Sequence, residues 1–204
     1  MKEHFLTLLR KKETDTASFR KAADSLTALI AQEAVAAITL QKETIHTPLA
    51  PTQGALLKEH ILLIPVLRAG LVFLPPFLSL FPSASVGFIG IRRDEKTAAP
   101  HLYYENLPKI GAKDHIFLLE PMLATGGTSA LSLQKLIQKG ATPAHISLVT
   151  LLAAKPGIEK IKKEFPQVHI HTAAIDPELN LQKFIVPGLG DFGDRYFGTY
   201  TARD

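Results

Sequence analysis

The chain of 204 residues lacks several features that would place it in a particular class of protein. It contains no cysteine, which excludes disulfide bonds and thiolate chemistry. No apolar run is long enough to span a bilayer, so we expect no membrane partner. The first five residues lack the charged-then-apolar layout of a secretion signal. These absences predict a cytoplasmic protein.

The charged residues also lack a concentrated basic block. Lysine and arginine number 23 against 19 acidic residues, which gives a net charge of +4 and a pI of about 9.2. Such a mild, dispersed excess attracts polyphosphates, but it does not predict a nucleic-acid partner. Hydrophobic residues make up 46% of the chain, which suits one α/β domain over residues 1–204. There are no repeats or linkers.

The most informative stretch is residues 116–129, IFLLEPMLATGGTS. A continuous apolar run ends at Glu120, and a loop of small residues then leads into a helical pattern, as at the end of a buried parallel strand. Gly126 and Gly127 have no Cβ and let the backbone approach a ligand closely. Free amides at a helix start suit a phosphate, and Thr125, Thr128 and Ser129 offer hydroxyls to the same anion.

Two other interpretations of this turn deserve comparison. A Walker loop needs a lysine directly after its last glycine, whereas Thr128 follows Gly127 here. An ordinary glycine-rich turn is the alternative. The carboxylate of Glu120 at the strand end, together with the hydroxylated residues, favours a ligand site.

An arginine marks the end of another apolar run. Residues 61–66 predict a central strand, and Arg68 follows it. A buried arginine is costly without an anion, and ligands of open α/β sheets bind at this end of the strands. Arg68 either binds an anionic ligand or pairs with a structural carboxylate. The charged segment 92–97, which includes Arg93, is by itself typical of a solvated loop.

The remaining pattern alternates strands and helices, which predicts a parallel sheet covered on both faces. Residues 1–40 are predicted to be helical, with a cap near Asp15, and 53–59 to be a surface connection. Further strands are predicted at 85–91, 145–152 and 167–174, helices at 71–81, 128–139 and 155–165, and a hairpin arm at 101–108. His169 and His171 share a strand face, but two histidines without a third ligand do not predict a metal site.

Four segments resemble one family in the right order: 65–70 (PVLRAG), 93–95 (RDE), 120–128 (EPMLATGGT) and 184–199 (FIVPGLGDFGDRYFGT). The resemblance is to the uracil phosphoribosyltransferase branch of the type I phosphoribosyltransferases, and it covers about residues 8–199. It implies an α/β fold, with a parallel β-sheet flanked by helices, a C-terminal hood and a β-arm. In that fold residues 1–40 form a helical arm and 174–204 form the hood that binds the base.

The resemblance also implies a reaction and a set of roles. Uracil and phosphoribosyl pyrophosphate (PRPP) would give UMP and pyrophosphate in pyrimidine salvage. The catalytic residues would be Glu120, Arg93 and Asp191, and the uracil-binding residues Ile185, Gly190, Asp191 and Phe192. The PRPP-binding residues would be Arg68, Arg93, Glu120, Pro121, Met122, Leu123, Ala124, Thr125, Gly126, Gly127, Thr128 and Asp191. Mg²⁺ would be the cofactor, bound mainly through PRPP, with Asp191 the candidate protein ligand.

The family further implies a homodimer or higher homo-oligomer, and GTP stimulates some members. The loop that contains Arg93 is mobile in the family and folds over PRPP. This sequence departs from the family pattern at several positions. Glu120 replaces an aspartate, Thr128 a serine, Arg92 a tyrosine and Lys96 a glutamate. Phe192 replaces a small residue, and an inward ring would shrink the base pocket.

Three alternatives therefore stay open on the sequence. Instead of a uracil phosphoribosyltransferase, the chain would then be a phosphoribosyltransferase for another base, a PRPP-sensing regulator that binds RNA, or an inactive paralogue with a structural role.

Overall fold

The computed structural model of the chain describes residues 1–36, 38–94 and 99–199. The helices are α1 (Lys2–Arg10), α2 (Thr16–Val35), α3 (Leu74–Leu80), α4 (Gly127–Gln138), α5 (Lys155–Glu164) and α6 (Phe192–Phe197). The strands are β1 (Gln41–His46), β2 (Pro51–Leu56), β3 (Ile61–Leu67), β4 (Ser85–Val86), β5 (Phe88–Arg93), β6 (Pro100–Asn106), β7 (His115–Leu119), β8 (Met122–Leu123), β9 (Ile146–Ala154), β10 (His169–Asp176), β11 (Glu178–Leu179) and β12 (Ile185–Val186).

The main sheet has eight strands, ordered β10-β9-β7-β3-β5-β6, with β4 beside β3 and β8 beside β9. All of its pairs are parallel except that between β5 and the edge strand β6. The carboxyl ends of the parallel strands therefore meet at one edge of the sheet, where ligands of such folds bind.

Alternate residues of the central strands enter two cores, as the two-residue period of a strand requires. Phe117 and Leu119 of β7 face a core that includes α1, α2 and α3, whereas Ile116 and Leu118 face the core under α4 and α5. Because both faces are covered, β7 has no polar side that could face water, and its sequence is continuously apolar. The α/β class predicted from the alternation of elements is confirmed.

The N-terminal helices pack on the body of the chain through Phe19, Leu26 and Ile30, all of which are buried. Asp15 caps α2, since its carboxylate accepts a hydrogen bond from the Ser18 amide at 2.9 Å. The predicted cap is therefore confirmed. Both helices end before residue 40, because strand β1 begins at Gln41.

Of two predictions about connecting segments, one was wrong. Residues 53–59 were expected to be a surface connection, but Pro51–Leu56 is strand β2, paired with β1 in a separate antiparallel hairpin. The segment 101–108 was expected to return as a hairpin arm, and strand β6 does pair antiparallel with the preceding strand β5, at the edge of the main sheet. The predicted helix at 71–81 is α only from Leu74, because a 3₁₀ turn (Ala69–Phe73) precedes it.

Two expectations concern positions beyond the described part of the chain. Lys96 and most of the loop that follows Arg93 lie outside the described residues, as does the last part of the hood, residues 200–204. Within the described ranges no helix combines the length and the apolar character needed to cross a membrane.

Candidate active site

The carboxyl edge of the sheet opens into a cavity of about 1140 Å³. Three of the charged residues predicted from the sequence border it at the ends of strands: Arg68 follows β3, Arg93 ends β5 and Glu120 follows β7. The topology therefore brings together residues that are up to 52 positions apart in the chain, because the three strands are neighbours in the sheet. Other predicted residues that line the cavity are Pro121, Met122, Ala124, Thr128, Ile185, Gly190, Asp191 and Phe192.

Glu120 is buried at the point where β7 ends. Its backbone amide donates to the Val149 carbonyl at 3.0 Å, so β9 holds the main chain in place. Burial raises the pKa of Glu120 to about 7, although a hydrogen bond from Ser129 and the charge of Arg93 act in the opposite direction. A carboxylate in such a position is typical of a ligand site.

Ser129 does not play the part expected from the sequence. Its hydroxyl was predicted to bind the same anion as Thr125 and Thr128, but it is buried and donates to Oε2 of Glu120. A serine hydroxyl has one proton to donate. The prediction that Ser129 donates to a phosphate was therefore wrong for this structure.

The turn between β8 and α4 has the shape that an anion site requires. Gly126 adopts a left-handed φ of 76°, which glycine alone adopts without strain, and it is the N-cap residue of α4. It has no side chain with which to cap the helix, so the first amides of α4 depend on other partners. Thr125 Oγ1 accepts from the Gly127 amide at 3.3 Å, which leaves its own proton for a ligand.

The remaining loop residues are placed differently. Leu123 pairs with Ala153 in the sheet and its side chain is buried in the core, so any contact that it makes with a ligand is through the backbone. Gly157 of α5 packs so closely on the loop that a Cβ there would lie 2.5 Å from the Ala124 carbonyl oxygen. The close packing of α5 against the Ala124 carbonyl therefore holds the backbone of the turn in place.

Arg68 has a weak partner. Its Nη2 lies 3.5 Å from Oδ1 of Asp194, and its guanidinium lies 5.5 Å from the Phe197 ring. The side chain is 56% exposed, and an ion pair of this length in solvent contributes little. The pairing with a carboxylate and the binding of an anion are therefore compatible at this position.

The C-terminal segment contributes residues 181–185 and 190–193 to the cavity wall. Ile185 is buried in β12, and Gly190 has a left-handed φ of 81°. Asp191 caps the short helix α6 by accepting from the Asp194 amide at 2.8 Å. The Phe192 ring is buried between Phe19 and Tyr196, at centroid distances of 5.5 and 5.6 Å. The ring therefore packs in the core with Phe19 and Tyr196, while Phe192 also contributes to the cavity wall.

The attachment of this segment to the N-terminus was not foreseen. Arg10 binds both oxygens of Asp176 at 2.7 and 2.8 Å and also donates to the Gly188 carbonyl at 2.9 Å. Arg195 donates to the carbonyls of Leu9 and Lys11 at 2.5 and 2.7 Å. The partners are up to 186 positions apart, so no local pattern in the sequence could have predicted these contacts.

Part of the cavity wall was not predicted from the sequence. Tyr103 of β6 and residues 181–184 of the hood line the cavity. Asn180 shapes the hood loop by accepting from the Lys183 and Phe184 amides, each at 2.9 Å. Asparagine is typical of such turns, and this signal was available in the sequence.

Three histidines, His115, His169 and His171, lie towards the amino ends of their strands, at the edge of the sheet opposite the cavity. His115 begins β7 and His169 begins β10. Within residues 1–36, 38–94 and 99–199 no group of three or more potential ligands could hold a metal ion.

Comparisons with known proteins point in one direction. A family model described as uracil phosphoribosyltransferase matches residues 1–199. A uracil phosphoribosyltransferase of Thermosipho melanesiensis is 46% identical over 198 residues, which are 97% of this chain and 94% of that protein. The structure of the AQ2163 protein from Aquifex aeolicus has a TM-score of 0.90 at 34% identity, and the match covers 98% of this chain and 95% of that one.

A more distant structure supports the fold alone. The APRTase from Giardia lamblia, complexed with 9-deazaadenine, has a TM-score of 0.54 at 11% identity, and the match covers 76% of this chain and 80% of that one.

Proposed function

This chain belongs to the uracil phosphoribosyltransferase family, and from that membership we propose how its residues divide the reaction among them. The protein is a pentosyltransferase. It transfers the 5-phosphoribosyl group of PRPP to N1 of uracil, forming the N1–C1′ bond as the bond from C1′ to pyrophosphate breaks. The products are UMP, pyrophosphate and the proton from N1.

One observation carries the assignment of roles. A single cavity is lined by Arg68, Arg93 and Glu120, by Ala124 and Thr128 at the two ends of the glycine-rich turn, and by hood residues 185 and 190–193. A phosphoribosyl donor has a phosphate at one end and a diphosphate at the other, with a diol between them. The cavity offers amides, cations and a carboxylate suited to these three parts.

The turn at residues 124–128 would hold the 5′-phosphate. Its amides at the start of α4 point in the direction that favours an anion, and Thr125 and Thr128 add hydroxyl donors. Of the predicted contacts, those of Pro121, Met122 and Leu123 would be made by the backbone that leads into this turn. Binding of this distant phosphate positions C1′ for the reaction.

Arg68 and Arg93 would neutralise the charge that develops on the departing pyrophosphate. Magnesium usually binds through substrate phosphates and one or two carboxylates, and Asp191 is an exposed carboxylate on the cavity wall. One Asp191 oxygen caps α6, and the second is the proposed metal ligand. When bound, Mg²⁺ supplies positive charge to the diphosphate.

Glu120 would accept hydrogen bonds from the ribose hydroxyls and keep the sugar in line. Its negative charge also favours an oxocarbenium-like transition state, because positive charge then develops on the ribose ring. The backbone of Ile185, Gly190 and Phe192 would pair with the edge of uracil. Fixed backbone donors and acceptors suit a small planar base.

The β1–β2 hairpin supports the proposal of a homo-oligomer. Every residue of β1 is exposed, and Leu49 at the turn is 97% exposed. A two-stranded hairpin by itself is marginally stable in water, so a partner copy would stabilise it. GTP as an effector and a cytoplasmic location are proposed from family membership.

Turnover with a panel of bases tests the proposal. Purified protein with PRPP and Mg²⁺ should release pyrophosphate with uracil and much less with orotate or guanine. Release with guanine or orotate but not with uracil would reject the proposed base. Stabilisation by PRPP without turnover of any base would indicate an inactive paralogue.

A further inference from the structure

We propose that Ser129 is a positioning residue of this transferase, because its hydroxyl holds the Glu120 carboxylate in the orientation that the ribose hydroxyls require. The inference rests on the proposed ribose contact of Glu120. It adds a residue of α4 to the machinery, outside the PRPP-binding segment 120–128.

The geometry of the pair supports this role. Glu120 follows β7 and Ser129 lies in the first turn of α4, so the whole glycine-rich turn separates them in the chain. The hydroxyl nevertheless donates to Oε2 of Glu120, and Ser129 is 1% exposed. The hydrogen bond therefore joins the two ends of the turn, and it links the carboxylate to the helix that would bind the 5′-phosphate.

The hydrogen bond leaves the carboxylate free to serve a ligand. An ionised carboxylate has about four acceptor positions, and within the described ranges Ser129 is the hydroxyl that occupies one of them. The remaining positions suit two ribose hydroxyls. A carboxylate fixed by one donor loses less rotamer freedom when it binds the next two.

The same bond favours the ionised form. Burial raises the pKa of Glu120, whereas the Ser129 hydrogen bond and the Arg93 charge lower it. Arg93 faces Glu120 from β5, and Arg68 lines the same cavity beyond β3. Strand β9 contributes the Val149 carbonyl, which accepts from the Glu120 amide. The other charged groups on the cavity wall near the sheet edge are Arg92, Asp94 and Asp191. Without the Ser129 hydroxyl, a larger share of Glu120 is protonated near neutral pH and accepts ribose hydroxyls poorly.

The hydrogen bond with Ser129 also depends on the length of the Glu120 side chain. An aspartate at position 120 has one methylene fewer, about 1.5 Å less reach, and its carboxylate would not meet Ser129 in the same way. The serine is therefore matched to glutamate. This match predicts that the two positions are coupled, and a double-mutant cycle measures such coupling.

Ser132 provides a matched control. It lies one turn further along α4, is fully buried, and its hydroxyl has no hydrogen-bond partner among the described residues. Ser132→Ala therefore removes the same atom from the same helix without affecting Glu120.

The test measures kcat, KM for PRPP and the pH profile for wild type, Ser129→Ala, Ser132→Ala, Glu120→Asp and the Glu120→Asp/Ser129→Ala double variant. Loss of a hydrogen bond to a carboxylate corresponds to about a tenfold effect. We expect Ser129→Ala to raise KM for PRPP about tenfold and to move the acidic limb of kcat/KM up by about one pH unit. KM for uracil, and the profile of Ser132→Ala, should match wild type.

In the Glu120→Asp background, Ser129→Ala should have almost no further effect. An unshifted acidic limb in folded Ser129→Ala, or an equal loss in both backgrounds, overturns the inference. Direct titration of carboxyl-labelled glutamate by NMR gives a readout that does not need turnover, and an unchanged Glu120 pKa in Ser129→Ala overturns it as well. Failure of the wild type to use PRPP and uracil would instead reject the proposed function.

Discussion

The two edges of the parallel sheet both carry titratable side chains, but their electrostatics run in opposite directions. At the carboxyl edge, burial raises the pKa of Glu120 to about 7. At the amino edge, burial and the neighbouring histidines His145, His169 and His171 lower the pKa of His115 to about 4. The same sheet therefore buries an acid at one edge and a base at the other, and both resist ionisation.

The surroundings distinguish the two edges. Glu120 borders a large cavity together with Arg68 and Arg93, which suits an anionic ligand. His115 instead shares a hydrogen bond with Ser147 at 3.2 Å, lies 3.7 Å from a carboxylate oxygen of Glu59 and packs on the Phe117 ring at 4.8 Å between centroids, and it does not line the cavity. A shifted pKa thus indicates a candidate site only where open space for a ligand accompanies it.

The largest contrast is expected in activity. Arg93→Gln should lower kcat/KM for PRPP by about 10²- to 10³-fold, because it removes a charge that stabilises the leaving pyrophosphate. His171→Gln at the opposite edge should change it by less than about twofold, since this side chain has no role in the reaction. Steady-state kinetics on both variants, with melting curves as a control for folding, make the comparison. A similar loss in both variants would remove the functional distinction between the edges.

The attachment of the hood gives the next largest effect. Asp176→Asn weakens the paired contact with Arg10, where burial would raise the pKa of Asp176 but the Arg10 and Gly188 hydrogen bonds lower it. We expect a loss of about 2 kcal/mol in the free energy of unfolding and a larger rise in KM for uracil than for PRPP. Glu164→Gln, at an exposed pair with Lys160, is the control. If urea unfolding shows equal stability for both variants, the Arg10–Asp176 contact does not hold the hood to the N-terminus.

Ionisation of the buried Glu120 carboxylate should lower the free energy of unfolding of the ligand-free protein. Its folded pKa of about 7 lies above its ordinary value of 4.5, so its contribution is most favourable below pH 4.5 and is lost as the pH rises through 7. Glu120→Gln should therefore be more stable than wild type at pH 8 by about 3 kcal/mol and nearly equal at pH 4.5. Thermal unfolding across this range checks the sign. A variant less stable than wild type at pH 8 would contradict the burial of the charge.

The histidine edge should show the opposite slope. The folded pKa of His115, about 4, lies below its ordinary value of 6.5, so its contribution is complete above pH 6.5 and is lost as the pH falls towards 4. His115→Gln should reduce the loss of stability over this window by about 1 kcal/mol. Urea unfolding at several pH values measures the slope, and an unchanged slope would show that His115 is already solvated.

The sequence predicted the framework of the sheet because long apolar runs form the buried strands. Residues 61–66 and 116–119 have the composition of central parallel strands, and they are β3 and β7. Strand β2 was missed because Pro51 and Gly54 are poor strand formers and both sides of the strand are exposed. Its structure depends on pairing with β1, which local sequence does not reveal.

The candidate site was predictable to a similar extent. Arg68 and Glu120 each follow an apolar run, so the edge of the sheet on which they lie could be inferred. Arg93 lies in a charged segment that is by itself typical of a solvated loop, and only the family resemblance pointed to it. The bond between Ser129 and Glu120 was not predicted, because a hydroxyl near a glycine turn has two plausible acceptors and the sequence cannot choose between them. Contacts between Arg10 and Asp176 span 166 positions and depend on the tertiary fold.

The most direct measurement compares wild type and Glu120→Ala in uracil turnover with PRPP, together with their melting curves. If the carboxylate at the end of β7 serves the sugar, the variant should lose about 10²-fold or more in kcat/KM and melt at the same temperature or higher. A variant that keeps its rate, or that loses its fold, would show that Glu120 supports the protein and not the reaction.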